Sequence, residues 1–289
     1  MLPSFKVHYD IYFMTTRNCN LECDHCFVSA KPNNKDTTMS VDNFYKAVGN
    51  LPGEDPIRLK LTGGEIFTIP NHLWGYLDVI SGNNTTRKKD NQIDVSLQTN
   101  GFWATSIKAV EEVKKRLDKQ NFRWRFDVPS NDKYHNGVLT EDMSYWLKEH
   151  LGVYPRGSGG RLGLMPLGRA QTELCLSPSE IFVSSEQCSD LSHYTIDETG
   201  TVYSCCYKSF PLPGNIINDP LEKIVEMAKE DKTLRTLFDN GPEEVAILEG
   251  VHPGEARCWV AENGECGMCI NFLGENNPEY QVRSKITSS

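Results

Sequence analysis

The chain has 289 residues, of which 38% are hydrophobic, 24% charged and 10% aromatic, and this ordinary globular composition excludes a disordered or fibrous protein. Its 30 basic and 39 acidic residues give a net charge of −9, so we expect no nucleic-acid partner and favour a neutral or cationic substrate. The chain opens without a signal segment, and no run approaches the roughly 20 apolar residues of a membrane helix. We therefore expect a cytoplasmic protein with no membrane partner.

Strands and helices alternate through the first two thirds of the sequence. Strands are predicted at residues 7–15, 57–61, 93–97, 123–128, 161–165 and 181–184. Helices are predicted after Ser40 and at residues 70–80, 106–119 and 140–150, with an exposed loop over 81–91. This order predicts an α/β fold with a parallel sheet or barrel.

The sequence changes in character after about residue 187. Short strands, turns and closely spaced cysteines follow, with helices near residues 221–229 and 232–238. We therefore expect a first domain over residues 1–186 and a small, cysteine-rich α+β domain over 187–289.

Ten cysteines stand out in a chain of this kind, and residues 27–174 contain none. In a reducing compartment, cysteines serve metal binding or catalysis more often than disulfides. Cys19, Cys23 and Cys26 form a C-x3-C-x2-C loop directly after the first predicted strand. Three thiolates on one loop suit an iron–sulfur cluster with one open iron better than a closed zinc site, which takes four ligands.

This loop resembles the defining motif of the radical S-adenosylmethionine (SAM) enzymes. At the end of the second strand, Gly63-Gly64-Glu65 is similar to the Gly-Gly-Glu element of that family. The resemblance implies that the two glycines let the backbone approach the methionine part of SAM and that Glu65 accepts a hydrogen bond from its ammonium group.

Polar residues at later strand ends complete the resemblance. It implies that SAM is also contacted by Gln98, Asn100 and Ser130. Arg169 lies in a Gly-Arg-Ala element similar to one found in many of these enzymes, where the arginine forms a fork to a carboxylate. Asp132 and His135 are expected to face the substrate, although His135 is equally compatible with a surface loop.

The resemblance implies a partial (β/α)6 TIM-like barrel, a [4Fe–4S] cluster on the first three cysteines, and SAM. It also implies an electron donor such as flavodoxin or ferredoxin. The implied chemistry is reductive cleavage of SAM to methionine and a 5′-deoxyadenosyl radical, which abstracts a hydrogen atom from the substrate.

A second group of cysteines resembles the auxiliary-cluster extensions of this family, the SPASM and twitch domains. Cys188, Gly200 and Cys205 have the spacing that opens such a domain, and Gly200 would allow the hairpin turn between the two thiolates. The shorter twitch arrangement implies one auxiliary [4Fe–4S] cluster, completed by two of Cys258, Cys266 and Cys269. Spacing favours Cys266 with Cys269, and a zinc ribbon is the competing interpretation.

Two thiols near this second group, Cys206 and Cys258, are candidates for donating hydrogen to a substrate radical, although an inert packed thiol is the favoured interpretation of each. The first hypothesis is therefore epimerisation or dehydrogenation of a sugar-like or aminoglycoside-type natural product. One alternative is a maturase that epimerises or crosslinks a ribosomally synthesised peptide. It is disfavoured here because many such maturases carry an N-terminal peptide-recognition module. The first strand begins about seven residues from Met1, which leaves no room for that module. The other alternative is a non-enzymatic thiol-rich metal or redox module.

Overall fold

The fold is known from a computed structural model, which describes residues 9–26, 28–127, 139–153, 193–205 and 208–269, except the side chains of 262–267. The strands are β1 (Tyr9–Thr16), β2 (Ile57–Gly63), β3 (Ile93–Gln98), β4 (Trp124–Asp127), β5 (His193–Ile196) and β6 (Val202–Tyr203). The helices are α1 (Val41–Gly49), α2 (Pro70–Asn84), α3 (Ile107–Leu117), α4 (Glu141–Leu151), α5 (Leu221–Glu230), α6 (Lys232–Asn240), α7 (Pro242–Leu248) and α8 (Pro253–Met268). No helix in these ranges is long and apolar enough to cross a membrane.

The six strands form one sheet in the order β4-β3-β2-β1-β5-β6. Strands β1 to β5 are parallel to their neighbours, and only β6 runs antiparallel to β5. The helices α1, α2 and α3 each connect two of the first four strands, so the predicted α/β class is confirmed. The strands predicted at 161–165 and 181–184 lie outside the described residues.

Helix starts agree with the sequence signals. Ser40, Ser106 and Thr140 each accept a hydrogen bond from the backbone N–H three residues later, as N-cap residues do. The predicted loop at 81–91 was wrong for its first four residues, because α2 continues to Asn84. The Asn84 side chain is buried, and its amide donates to the carbonyl of Ile93 at 3.0 Å while its oxygen accepts from the N–H of Ile93 at 2.8 Å.

One face of the sheet packs against the helices. On β1, Ile11 and Phe13 are fully buried there. The ring of Phe13 lies 4.9 Å from that of Phe44 on α1, which in turn lies 4.4 Å from Tyr76 on α2. Each buried aromatic side chain contributes about 1.5–3 kcal/mol, so this face anchors β1 in the core.

The segment after residue 187 joins the same sheet, because β5 pairs with β1 along four residues. Helix α5 is also tied to α1, since Leu221 N–H donates to the carbonyl of Asn50 at 2.9 Å. Helices α5 and α6 confirm the predictions near 221–229 and 232–238, whereas α7 and α8 were not predicted. The division into domains at residue 187 stays a prediction.

Candidate active site

The three cysteines of the first motif lie on a loop at the carboxyl end of β1, the edge at which barrel enzymes carry their active sites. The loop is closed by backbone hydrogen bonds. Cys19 N–H donates to the carbonyl of Lys31 at 3.1 Å, and Lys31 N–H donates to the carbonyl of Arg17 at the same distance. The two ends of the loop are therefore paired with each other, and Cys19, Cys23 and Cys26 are half-buried between them.

The thiols of this loop have the surroundings of ligands to a cationic group. Leu21 N–H donates to Cys19 Sγ at 3.4 Å, and Ala30 N–H donates to Cys26 Sγ at 3.3 Å. Burial raises the pKa of the Cys19 thiol to about 11, and the charges of Glu65 and the other two cysteines act in the same direction. A bound cation would offset both effects, and backbone N–H groups are the donors that stabilise cluster sulfurs.

The number of thiols on this loop bears on the kind of metal. Three cysteines of a [4Fe–4S] cluster bind three different irons and leave the fourth iron open. A structural zinc site takes four ligands on one ion. Three thiols on one loop therefore fit a cluster better than mononuclear zinc.

Gly63 and Gly64 pack against the backbone at the start of the cysteine loop. A Cβ atom on Gly63, whose φ is +124°, would lie 2.3 Å from the carbonyl oxygen of Thr16, and one on Gly64 would lie 2.1 Å from that of Asn18. Gly64 N–H donates to the Thr16 carbonyl at 2.7 Å. Both glycines are therefore required for contact between β2 and this loop, a role that the sequence alone did not indicate. Their predicted contact with methionine stays a prediction.

Glu65 connects the carboxyl ends of β2 and β3. Its side chain is only 1% exposed. The carboxylate accepts hydrogen bonds from the Thr99 hydroxyl at 2.9 Å, from Asn100 N–H at 2.6 Å and from Phe67 N–H at 3.0 Å. Burial raises the pKa of Glu65 to about 7, although the hydrogen bonds act to lower it. These contacts give Glu65 a positioning role, and its predicted hydrogen bond from the SAM ammonium stays a prediction.

Two further predicted SAM residues, at the end of β3 and just after it, have different surroundings. Asn100 is buried, and its amide donates to the side-chain oxygen of Asn20 in the cysteine loop at 2.9 Å. Gln98 is exposed and accepts from the Thr62 hydroxyl at 2.7 Å. The structure therefore brings Asn100 and Glu65 to the cysteine loop, while Gln98 lies on the face of the sheet away from the helices.

The second group of cysteines is described only in part. Cys205 is half-buried and follows β6, which runs back toward the amino end of β5 and so away from the edge that carries Cys19. Cys258 is exposed on α8, and Cys269 is buried directly after it. Cys266 lies on α8, and its side chain is outside the described residues. Other predicted site residues also lie outside them, namely Ser130, Asp132, His135, Arg169, Cys188 and Cys206. The auxiliary cluster stays a prediction.

The turn between β5 and β6 contains Gly200 with a φ of +86°, as the hairpin prediction requires. Asp197 fixes this turn. Its carboxylate accepts from Thr199 N–H at 3.0 Å and pairs with Lys208 at 3.2 Å. Burial alone would raise the pKa of Asp197, but Lys208 and the Thr199 hydrogen bonds lower it below its usual value. Glu198 in the same turn pairs with Arg17 at 2.6 Å, which links the turn to the cysteine loop.

A row of polar side chains on the face away from the helices was not singled out from the sequence. Lys60 Nζ lies 3.0 Å from a carboxylate oxygen of Asp127 and 3.3 Å from the Tyr12 hydroxyl, and the Ser96 hydroxyl donates to Asp127 at 3.0 Å. The signal was present, because apolar and polar residues alternate strictly over residues 57–62 and 93–98. Parallel strands covered on both faces are near-continuously apolar. The alternation therefore indicates a polar face, made up of Asp10, Tyr12, Arg58, Lys60, Thr62, Asp94, Ser96, Gln98, Arg123, Arg125, Asp127, His193 and Thr195.

Comparisons with known proteins agree with this geometry. The chain is 28% identical over 138 residues to YydG of Bacillus subtilis (strain 168), a protein named for peptide biosynthesis, and the match covers 47% of this chain and 40% of YydG. It is 37% identical over 59 residues to AlbA of the same organism, named for biosynthesis of the antilisterial bacteriocin subtilosin, with 20% of this chain and 13% of AlbA covered. The matches thus span less than half of either relative.

A solved structure shows the same fold. The crystal structure of BtrN in complex with AdoMet and 2-DOIA superimposes with a TM-score of 0.53 at 14% identity, covering 96% of this chain and 98% of BtrN. No family model matches the chain. Taken together, the C-x3-C-x2-C loop at the carboxyl end of β1, the α/β fold and these relatives fit the radical SAM superfamily, in agreement with the resemblance of the sequence motifs.

Proposed function

We propose that this protein cleaves SAM reductively and abstracts a hydrogen atom from a peptide in the course of its maturation. The observation that carries the proposal is the cysteine loop, which Gly63 and Gly64 pack against at the carboxyl edge of the sheet. Cys19, Cys23 and Cys26 would hold the [4Fe–4S] cluster. When bound, the cluster supplies the electron that splits SAM.

The residues of this chain provide order around that chemistry. The paired ends of the loop fix the positions of the thiols, and Glu65 holds the ends of β2 and β3 in register through Thr99 and Asn100. Asn100 also connects the ends of these strands to Asn20 in the cysteine loop. The polar face reaches the same edge of the sheet at Gln98 and Asp127 and offers hydrogen-bonding groups to a substrate. Such preorganised positioning is what a protein contributes to a cofactor reaction.

A peptide substrate is favoured over a sugar-like one by the names of the relatives. YydG is named for peptide biosynthesis, and AlbA is named for biosynthesis of a bacteriocin. The likeness to BtrN is a likeness of fold, and BtrN is 14% identical, so 2-DOIA does not transfer as a substrate. The first hypothesis from the sequence therefore gives way to its peptide alternative.

Anaerobic reconstitution followed by a SAM-cleavage assay tests the first part of the proposal. The reduced protein should form 5′-deoxyadenosine and methionine, and alanine at any of Cys19, Cys23 or Cys26 should lower that rate at least 100-fold, because each thiol would ligate one iron. Lys31→Ala is the matched control, since Lys31 lies in the same loop and its side chain is exposed. Its two hydrogen bonds in the loop are made by the backbone, so alanine keeps them. Full activity in the cysteine variants would contradict the proposal.

Substrate class is tested by comparing stimulation of 5′-deoxyadenosine formation. A pool of synthetic peptides with randomised sequences should stimulate it, whereas a panel of aminoglycosides should not. The reverse result would support the sugar-like substrate and contradict the peptide proposal.

A further inference from the structure

The polar face carries more positive than negative charge, although the whole chain has a net charge of −9. Its cations are Arg58, Lys60, Arg123 and Arg125, and its anions are Asp10, Asp94 and Asp127. Four cations against three anions leave one excess positive charge. The expectation of a neutral or cationic substrate, drawn from the net charge, therefore does not describe this face.

Two ion pairs neutralise the lower part of the face, which is the part nearest the amino ends of the strands. Arg58 pairs with Asp10 at 3.2 Å, and Arg123 pairs with Asp94 through two nitrogens at 2.6 and 2.8 Å. Both pairs lie toward the amino ends of the strands, as the register of β2 with β1 and β3 shows. The excess charge is therefore concentrated in the upper part, nearer the cysteine loop.

In the part nearer the carboxyl ends of the strands, one carboxylate pairs with one cation, and a second cation lies close by. Lys60 is largely shielded from solvent and contacts Asp127 at 3.0 Å, while Arg125 reaches Ser96, the partner of Asp127, at 3.3 Å. Asp127 pairs in register with Gln98, so this group lies at the carboxyl edge of the sheet. An additional carboxylate here would balance the two cations and receive charge-assisted hydrogen bonds.

A second, independent observation is an unsatisfied polar atom on the same face. Thr195 pairs in register with Tyr12, so the two side chains point the same way. Thr195 is fully buried, and its hydroxyl has no hydrogen-bond partner within the ranges that the structure describes. The hydroxyl of Tyr12 accepts from Lys60. Buried hydroxyl groups are normally paired, and a polar ligand bound at this face would supply a partner.

We propose that Lys60 and Arg125 bind an acidic side chain of the substrate, so that the protein acts on peptides with Asp or Glu close to the residue that loses hydrogen. This inference rests on the proposed function, because it assumes a peptide substrate. The site is formed by groups that belong neither to the cysteine loop nor to the hydrogen-bonded set of Glu65, Thr99 and Asn100.

The test uses two synthetic peptide pools of one randomised design. One pool has Asp and Glu at the variable positions, and the other has Asn and Gln, so only charge differs. Binding to the reconstituted protein with SAM is measured by fluorescence anisotropy. The acidic pool should bind at least tenfold more tightly, and Lys60→Met should bring the two pools to within about threefold while Lys60→Arg retains the preference. Lys89→Ala, which removes an exposed surface charge, should leave the preference unchanged.

Arg125→Gln provides a second variant whose folding is expected to be normal, because Arg125 is exposed, and it should also reduce the preference. Equal binding of the two pools to the unsubstituted protein would overturn the inference and leave the proposed peptide substrate standing. Weaker SAM binding in Lys60→Met with the acidic preference intact would assign the cations to SAM and overturn it as well. Binding of neither pool would contradict the peptide substrate and this inference together.

Discussion

Replacement of Gly64 by alanine should separate β2 from the cysteine loop. The added Cβ would lie 2.1 Å from the carbonyl oxygen and 2.8 Å from the carbonyl carbon of Asn18, whereas ordinary contacts begin at 3.4 Å. Both are backbone atoms, so no side-chain rotation relieves the contact. The loop and the strand must therefore move apart by more than 1 Å.

This movement also breaks two backbone hydrogen bonds between β2 and the cysteine loop. Gly64 N–H donates to the Thr16 carbonyl at 2.7 Å, and Glu65 N–H donates to the Asn18 carbonyl at 2.9 Å. Overpacking costs about 1–3 kcal/mol, and each lost backbone hydrogen bond costs about 1 kcal/mol. We expect Gly64→Ala to lower the free energy of unfolding by about 3–5 kcal/mol, a large fraction of the total for a typical domain.

Urea denaturation of the cluster-free protein measures this change, and iron content after reconstitution measures the effect on the loop. Gly82→Ala is the matched control, because Gly82 is exposed within α2 and a Cβ there meets nothing within 4 Å. Alanine in a helix should raise stability by about 0.5–1 kcal/mol. The reasoning would be refuted if Gly64→Ala kept both the stability and the iron content of the unsubstituted protein.

Two further substitutions test the hydrogen bonds and ion pairs of Glu65 and of Asp197. Glu65→Gln should lower the free energy of unfolding by about 1–3 kcal/mol in urea denaturation, because the amide turns an N–H group toward a donor such as Asn100 N–H. Unchanged stability would contradict the positioning role of Glu65. Asp197 has a folded-state pKa below its usual value, so its contact with Lys208 contributes stability above about pH 4 that is lost as the pH falls through the folded-state pKa. Asp197→Asn should therefore be less stable at pH 7 and show a shallower loss of stability below about pH 4, and an unaltered pH profile would exclude that role.

Local signals in the sequence predicted the elements that position the site. The caps at Ser40, Ser106 and Thr140 and the apolar runs of β1 to β3 depend on neighbouring residues, so they were correct. The position of the C-x3-C-x2-C loop after β1 followed from the same reasoning. The starts of α7 and α8 carried a signal too, since Pro242 and Pro253 stand at their first positions.

Contacts between distant residues could not be predicted in this way. The steric role of Gly64 depends on the backbone of Asn18, and the pairing of β5 with β1 joins segments about 180 residues apart, which no local pattern encodes. The polar face is an intermediate case. The alternation of apolar and polar residues carries a signal for which side chains share it, but the proximity of two cations to Asp127 depends on strand register, which only the fold defines.

The central claim, that this chain uses SAM at the cysteine loop, is tested most directly by quantifying SAM products under strictly anaerobic conditions. The reconstituted, dithionite-reduced protein is predicted to form 5′-deoxyadenosine and methionine in equal amounts, and its electron paramagnetic resonance signal should change when SAM is added. A reduced iron–sulfur signal that SAM leaves unaltered, with neither product formed, would contradict the account.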